Sequence, residues 1–263
     1  LCNPFAQFSL GMMYENGTGI PQNLPKAIEL YQSSAAQGVT HARHNLAWLF
    51  IRGDAGQDLV FDGVKLLEEN AKAGFGESRS DIGLMYQDGR YVAQDTGLAI
   101  SYLEQAAEQG IASAQNTLGS MYHHGDAIAQ DFEKARDLYK DAAEQEDPTG
   151  MFNLGGLFLT GAGVTKDVDE GIKWIKMAAN LGLPQAQVNL GALYANGDDV
   201  AQNFPEAIKW YRLAAEQGDA IGQNNLGLMY ADSQGVAQDS EAAFYWLIIS
   251  AMNGYEGGQQ TIE

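Results

Sequence analysis

The chain has 263 residues, 45% of them hydrophobic, which is enough apolar material for a substantial folded core and excludes a disordered chain. Its 34 acidic and 15 basic residues give a net charge of −19, so repulsion from phosphates disfavours DNA, RNA and anionic membranes as partners. The longest apolar stretch, 242–252, is too short to cross a bilayer, and we expect no membrane insertion.

A five-residue motif, Leu-Gly-x-x-Tyr or a degenerate form of it, recurs along the chain at a constant step. Its first residue returns every 36 residues without an insertion, at Leu10, Leu46, Ile82, Leu118, Leu154, Leu190 and Leu226. A second series keeps the same step, at Gly38, Gly74, Gly110, Gly182, Gly218 and Gly254, with Glu146 as the exception. The chain is therefore an array of internal repeats.

Each repeat is predicted to be a pair of helices, because its apolar residues recur at spacings of three and four and leave no room for strands. The sequence thus predicts an all-α fold, a right-handed α-solenoid of seven 36-residue helix-turn-helix repeats that forms one domain. The predicted repeats span 3–38, 39–74, 75–110, 111–146, 147–182, 183–218 and 219–254. The glycine of the motif is expected where the paired helices approach closely.

Conserved spacing also predicts where the helices begin and end. The first helix should end at a residue in the left-handed conformation, at Gly17, Gly53, Gly89, Gly125, Gly161, Gly197 and Ser233. The second helix should be capped by a side-chain oxygen, at Asn23, Asp95, Asp131, Asp167, Asn203 and Asp239. The second repeat lacks the cap, with Leu59 in its place, and we expect its loop to be the least regular.

The two ends and the single cysteine leave the compartment open. Cys2 cannot close an intramolecular disulfide, so cysteine usage demands no oxidising environment. The chain starts at Leu1 with no basic-then-apolar leader, and we expect a trimmed or processed chain. Residues 255–263 match the start of a truncated eighth repeat, and we expect the natural protein to extend further.

Leu-Gly-x-x-Tyr, a Gly and a Val ahead of Gln-Asp, and an Ala-rich second helix ending in Gly resemble the Sel-one-like repeat (SLR) family over essentially the entire chain. The related tetratricopeptide repeat has a period of about 34 residues and a closing Pro that is missing here. The resemblance implies an adaptor in protein assemblies, including bacterial envelope and host-interaction proteins. It slightly favours the bacterial periplasm or export, with the cytoplasm left open.

First helices line the concave side in solenoids of this type, so residues one repeat apart form columns on that side. One column carries the amides Asn45, Asn153, Asn189 and Asn225. Amides can satisfy the backbone of an extended peptide, as similarly placed Asn residues do in the tetratricopeptide groove. Alternatively, these amides bond to the neighbouring repeat and fix the stack.

Neighbouring columns collect large apolar and basic side chains in the first two repeats. We expect these residues to contact a partner: Phe8, Met12, His41, His44, Trp48 and Arg52. The alternative for Phe8 and Met12 is packing under a further N-terminal repeat. A metal site at His41 and His44 would need Glu77 or Asp81, and a two-histidine spacing alone does not establish one.

The predicted function is a non-enzymatic scaffold or adaptor that binds a peptide or protein partner in the concave groove, without a cofactor or metal. No nucleophile elbow, zinc-protease motif or calcium loop is present in the sequence. Two alternatives stay open: binding through an acidic convex face, and an accessory or hydrolase-like envelope protein of the Cys-rich SLR type. Those Cys-rich members carry a disulfide in each repeat and have been linked to penicillin binding, a pattern from which a chain with only Cys2 departs.

Overall fold

The structure is a computed structural model that describes residues 3–197 and 199–255. These residues contain fourteen α-helices of 12 or 13 residues and no strand. The first helices of the repeats are α1 (Pro4–Asn16), α3 (Thr40–Ile51), α5 (Gly76–Asp88), α7 (Ala112–His124), α9 (Pro148–Thr160), α11 (Pro184–Asn196) and α13 (Ala220–Ala231). The second helices are α2 (Leu24–Ala36), α4 (Val60–Lys72), α6 (Thr96–Glu108), α8 (Phe132–Glu144), α10 (Val168–Asn180), α12 (Phe204–Glu216) and α14 (Ser240–Met252).

The helix starts confirm the predicted repeat. Both series of helices advance by 36 residues from one repeat to the next, and each repeat is a helix-turn-helix pair. The predicted eighth repeat lies outside the described residues, apart from Tyr255. Across the described part of the chain, no helix is both long and apolar enough for a membrane span.

The predicted helix ends are also confirmed. The expected terminal residues have positive φ angles, for example 80° at Gly161 and 56° at Ser233. The six expected caps each accept a backbone N–H, as Asp167 does from Glu170 at 3.0 Å. Such a cap satisfies one of the amides that the first helical turn leaves unpaired.

The second repeat departs from this pattern, as expected. A short 3₁₀ helix, Gln57–Leu59, precedes α4, and Leu59 lies in the right-handed helical region rather than the extended one. No side chain caps α4. The loop of this repeat is held instead by backbone hydrogen bonds, such as that from the Leu59 N–H to the Gly56 carbonyl oxygen at 3.2 Å.

The chain divides into two compact units, Leu1–Leu118 and Gly119–Glu263. In the first unit, α2 packs against α3 through the fully buried Tyr31 and Leu49. The next layer of this core contains Leu67 of α4 and Ile82 of α5, both fully buried. Burying one such side chain contributes roughly 1.5–3 kcal/mol, so the stacking of helices stabilises the array.

The second unit has a core formed by α8 to α12. Leu157 of α9 and Ile175 of α10 lie at its centre. A Cβ atom at Gly155 would lie 2.8 Å from the carbonyl oxygen of Gly171, so the paired helices approach closely, as predicted for this glycine. At Gly191 the close neighbour is the Tyr211 ring at 2.7 Å rather than the paired backbone.

Candidate functional site

A row of aromatic and imidazole rings crosses the first helices of the first unit. The Phe8 and His41 ring centroids are 5.9 Å apart, and His41 meets the edge of Phe75 at 4.7 Å. Phe75 also contacts His44, at 5.6 Å between centroids. Phe8 is half-buried and His41 is exposed, so the row has an outer side open to solvent. We call the surface of α1, α3 and α5 that carries this row the first-helix face.

Trp48 and His44 converge on one carboxylate of the next repeat. The Trp48 indole Nε1 donates to Oδ2 of Asp81 at 2.6 Å, and His44 Nε2 lies 3.6 Å from the same oxygen. Burial lowers the pKa of His44, which the charges of Asp81 and Glu77 partly offset. Burial raises the pKa of Asp81, and the hydrogen bond from Trp48 partly offsets this by lowering it. The indole is thus fixed in orientation with its ring half-exposed.

Buried polar groups hold His44 from behind. Its Nδ1 lies 3.0 Å from the hydroxyl of the fully buried Ser78. The side chain of Asn70 donates to the same hydroxyl and to the carbonyl oxygen of Thr40, at 3.0 Å each. Because these contacts come from α3, α4 and α5, the ring is positioned by three helices rather than by its own helix alone.

Asn45 and Arg52 belong to a separate network around Tyr31. The Asn45 amide donates to the Tyr31 hydroxyl at 3.2 Å, and that hydroxyl donates to Glu15 at 2.7 Å. Arg52 binds the other oxygen of Glu15 at 2.7 Å and also binds Asp54 at 2.9 Å. Burial raises the pKa of Tyr31 well above its usual range. These contacts join neighbouring repeats within the first unit.

An open cavity of about 240 Å³ lies beside Trp48 on the first-helix face. Its walls combine apolar and charged side chains, namely Trp48, Asp81, Leu84, Met85, Asp88, Arg90 and Tyr91. The other predicted contact of this region, Met12, is half-buried against the core that contains Tyr31. The cavity therefore adjoins the indole ring but not the Met12 side chain.

The predicted amides of the second unit have different surroundings. The Asn225 side chain hydrogen-bonds Tyr211 of the preceding repeat, much as Asn45 bonds Tyr31. Burial raises the pKa of Tyr211 to about 12, although the hydrogen bond with Asn225 offsets part of that rise. The buried Oδ1 of Asn189 has no hydrogen-bond partner in the described residues. Asn153 and Asn189 are half-buried.

The acidic residues of the second helices are mostly exposed and dispersed. Glu69, Glu104, Glu133 and Asp137 are all exposed. In the described residues, no group of three or more His, Cys, Asp or Glu side chains is arranged to hold a metal ion. The side chains around His41 and His44 are aromatic and polar, with Phe75 in contact with both rings.

Sequence reasoning missed three residues that shape the first-helix face and its edge. Phe75, which joins His41 to His44, precedes α5 and lies outside the columns that were compared. Phe61 of α4 and Tyr91 of the loop after α5 are exposed aromatic residues. A signal existed for both, because the other repeats have no aromatic residue at either position.

Comparison with known proteins identifies relatives of the whole fold. A Sel1 repeat protein from Oxalobacter formigenes has a TM-score of 0.77 and 31% identity, over 99% of this chain and 75% of that one. The protective antigen c5321 of uropathogenic Escherichia coli strains, which displays an SLR fold, has a TM-score of 0.70 and 30% identity. That match covers 97% of this chain and 55% of the antigen, so this chain spans about half its length.

A rat protein, DAP3-binding cell death enhancer 1, is 40% identical over 60 residues, which are 23% of this chain and 12% of that protein. The model of the Sel1 repeat family matches six segments, 4–39, 77–111, 112–147, 148–183, 184–219 and 220–255. The segment between the first two matches holds α3 and the uncapped α4. Because the matched repeats cover most of its length, this chain belongs to the Sel1 repeat family.

Proposed function

We propose that this chain is a non-enzymatic protein-interaction scaffold that binds a peptide or protein partner on its first-helix face. Sel1 repeat proteins are generally protein-interaction scaffolds. The observation that carries the proposal is the half-exposed Trp48, whose indole is fixed by Asp81 next to an open cavity. A rigid aromatic side chain beside a cavity is the usual form of an interaction hot spot.

The surroundings of Trp48 support a polypeptide as the partner. Phe8 and His41 extend the apolar and polar surface along α1 and α3, and Phe75 links this row to α5. Large side chains presented next to solvent in this way favour contact with another protein. In the second unit we assign a separate contact with partner backbone to the amides of Asn153 and Asn189, whose side chains are half-buried.

The experiment compares the proteins retained from a cell lysate by the immobilised wild-type chain and by matched variants. Trp48→Ala should weaken the retained interaction roughly thirtyfold, because truncation of a central Trp removes a dominant contact. A paired change of Asn153 and Asn189 to Ala tests the second unit separately and should weaken a partner contact made there, since partner backbone groups would lose their hydrogen bonds. Thermal melting of each variant establishes that it is folded.

The matched controls remove charges from the exposed second helices. Glu104→Gln and Asp137→Asn should leave the interaction within about twofold of wild type. If these charge removals abolish binding while Trp48→Ala and the paired Asn variant retain it, the partner binds the acidic second helices instead. That result would also make binding fall steeply with salt.

A further inference from the structure

Tyr91 adopts an unusual backbone conformation in the loop after α5. Its φ angle is 67°, in the left-handed region that bulky residues rarely occupy. Other repeats place smaller residues with positive φ at the equivalent position, at Gly19, Ala127, Gly163 and Gly235. A bulky residue persists in such a conformation when its surroundings hold it, and such residues gather at binding sites.

The loop of the third repeat packs differently from that of the fifth. A Cβ atom at Gly163 would lie 2.5 Å from the carbonyl oxygen of Phe132, so that loop lies directly on the start of α8 and has no room for a side chain. Gly235 is packed in the same way against Phe204. For the Tyr91 loop the residue equivalent to Phe132 is Val60 of the preceding repeat, and an open cavity of about 440 Å³ lies between α4 and this loop.

This second cavity has a mainly apolar wall. Its lining includes Phe61, Val64 and Glu68 of α4, Tyr86 of α5, and Tyr91 and Val92 of the loop. Phe61 is 77% exposed and Tyr91 is 44% exposed. The residues equivalent to Phe61 in the other repeats are Pro, Gly, Asp or Glu, so this exposed aromatic belongs to the second repeat alone. The Tyr86 hydroxyl is already bonded to Glu68 at 2.8 Å, and its ring lies parallel to that of Tyr102 at 6.2 Å between centroids, so Phe61 and Tyr91 supply the exposed aromatic surface of this cavity.

Tyr91 also lines the cavity beside Trp48, so one side chain separates the two. The Trp48 cavity contains the carboxylates of Asp81 and Asp88 beside two aromatic rings, an arrangement that suits a cation. The Arg90 guanidinium, which also lines this cavity, lies 5.1 Å from the Tyr91 ring centroid, so this ring is already in contact with one planar cation. The net charge of −19 adds a long-range attraction for basic segments.

We propose that the two cavities on either side of Tyr91 bind neighbouring side chains of one basic polypeptide segment. A lysine or arginine side chain enters the Trp48 cavity and faces Asp81 and Asp88. An apolar side chain enters the cavity between Phe61 and Tyr91. This inference rests on the proposed function, polypeptide binding by the first-helix face, and adds the chemistry of the segment that is bound.

The probe is a displayed library of random twelve-residue peptides, selected on the immobilised full chain and followed by titration of the enriched peptides. Enriched sequences should share a Lys or Arg at a fixed spacing from an apolar residue. Phe61→Ser and Asp88→Asn should each weaken the enriched peptides about tenfold or more. Their affinity should also fall as salt rises, because the carboxylates act partly at long range.

Matched controls separate the site from general effects of composition. Phe244→Ser removes another exposed phenylalanine, which is 56% exposed in α14, and Asp137→Asn removes an exposed charge from α8. Both should leave peptide affinity unchanged within about twofold. Because Phe61 and Asp88 are exposed, their variants should melt close to wild type, so lost binding reports on the site rather than on folding.

The outcomes distinguish this inference from the function beneath it. Peptides that bind the Phe61→Ser and Asp88→Asn variants with wild-type affinity, but bind Trp48→Ala more weakly, would overturn the two-cavity assignment and leave the first-helix face as a binding surface. Peptides that bind all three variants with wild-type affinity would overturn both proposals. Enrichment without basic residues, or no enrichment at all, would overturn the assignment of a basic segment.

Discussion

The loop that follows α5 and the loop that follows α9 occupy the same place in their repeats but are built for different purposes. After α9, Gly163 lies directly against Phe132, and the next helix is capped by Asp167. After α5, Tyr91 carries a large side chain on a left-handed backbone and borders two cavities. The α9 loop packs directly against α8, whereas the α5 loop borders open cavities lined by aromatic rings.

A repeat protein can place function in the repeats that depart from its regular pattern. A solenoid is stabilised by contacts between neighbouring units, so a repeat that gives up local stabilisation is supported by the repeats beside it. The second repeat lacks a side-chain cap on α4 and exposes Phe61. The third repeat holds Tyr91 in a conformation that a glycine would adopt without strain. Such departures are expected at functional sites rather than at random.

Exchanging the residue types at positions 163 and 91 should give the largest difference in the free energy of unfolding. Gly163→Tyr should cost about 3 kcal/mol or more, because its side chain would enter the backbone of Phe132. Tyr91→Gly should instead gain about 1 kcal/mol, because it removes strain at a positive φ. Urea unfolding of both variants measures the two effects. A loss of stability in Tyr91→Gly equal to that in Gly163→Tyr would contradict this view of the loops.

Two adjacent glycines of α9 differ in how closely they approach α10. Gly155→Ala should destabilise by about 1–3 kcal/mol, because its Cβ would lie 2.8 Å from the Gly171 carbonyl oxygen. Gly156→Ala should stabilise by about 0.5–1 kcal/mol, since a Cβ there meets nothing within 4 Å and alanine favours a helix. Thermal melting should shift in opposite directions. Equal shifts for the two variants would count against the close approach of α9 and α10.

Removal of a cap should have an intermediate effect that is confined to regular repeats. Asp167→Ala should cost about 1 kcal/mol, because the Glu170 amide would lose its acceptor at 3.0 Å. Asp167→Asn keeps an acceptor and should remain close to wild type. Leu59→Asn should bring no gain, since the backbone of Leu59 is helical rather than extended. Chemical denaturation of the three variants tests this ranking, and a stabilised Leu59→Asn would refute it.

The smallest expected effect is a pH dependence at His44. Burial lowers its pKa in the folded chain below the ordinary value of 6.5, so the unfolded chain binds the proton first on acidification. The stability present above pH 6.5 is then lost as the pH falls toward the lowered value. Burial raises the pKa of Asp81 above its ordinary value of 3.8, so the buried carboxylate destabilises the folded chain near neutral pH. This destabilisation is removed as Asp81 becomes protonated in more acidic solution.

His44→Gln should therefore reduce the loss of stability between pH 7.5 and pH 5.5. The measurement is the urea midpoint of wild type and variant at the two pH values, about one unit on either side of the ordinary histidine pKa. A variant with the same pH dependence as wild type would show that other groups are responsible. The charges of Glu77 and His41 act on His44 in both directions and are unchanged by the substitution.

Much of the fold could be predicted because its signals are local. The 36-residue step, the left-handed residue after each first helix and the capping oxygens each depend on a few neighbouring residues. Even the irregular loop before α4 could be predicted, from Leu59 in place of a cap. The close neighbour of Gly191 could not, because whether a backbone or the Tyr211 ring fills that space depends on the paired helix.

The candidate site was less predictable because its contacts join different repeats. The columns of Asn45 and Met12 place Asp81 and Trp48 on the same side of the array, but the 2.6 Å hydrogen bond depends on the register between α3 and α5. Arg52 was a predicted partner contact, and the structure ties it to Glu15 and Asp54. Comparison of every column, including loops and second helices, would have marked Tyr91 and Phe61 as exceptions.

Hydrogen exchange with and without a bound polypeptide locates the partner site, because it reports which helices become protected. The chain is saturated with the polypeptide that the wild-type protein retains most tightly. A partner on the first-helix face should slow exchange in α3 and α5, with little change in the second helices α8 and α10. Protection confined to α8 and α10, with α3 and α5 unchanged, would contradict a partner site on the first-helix face.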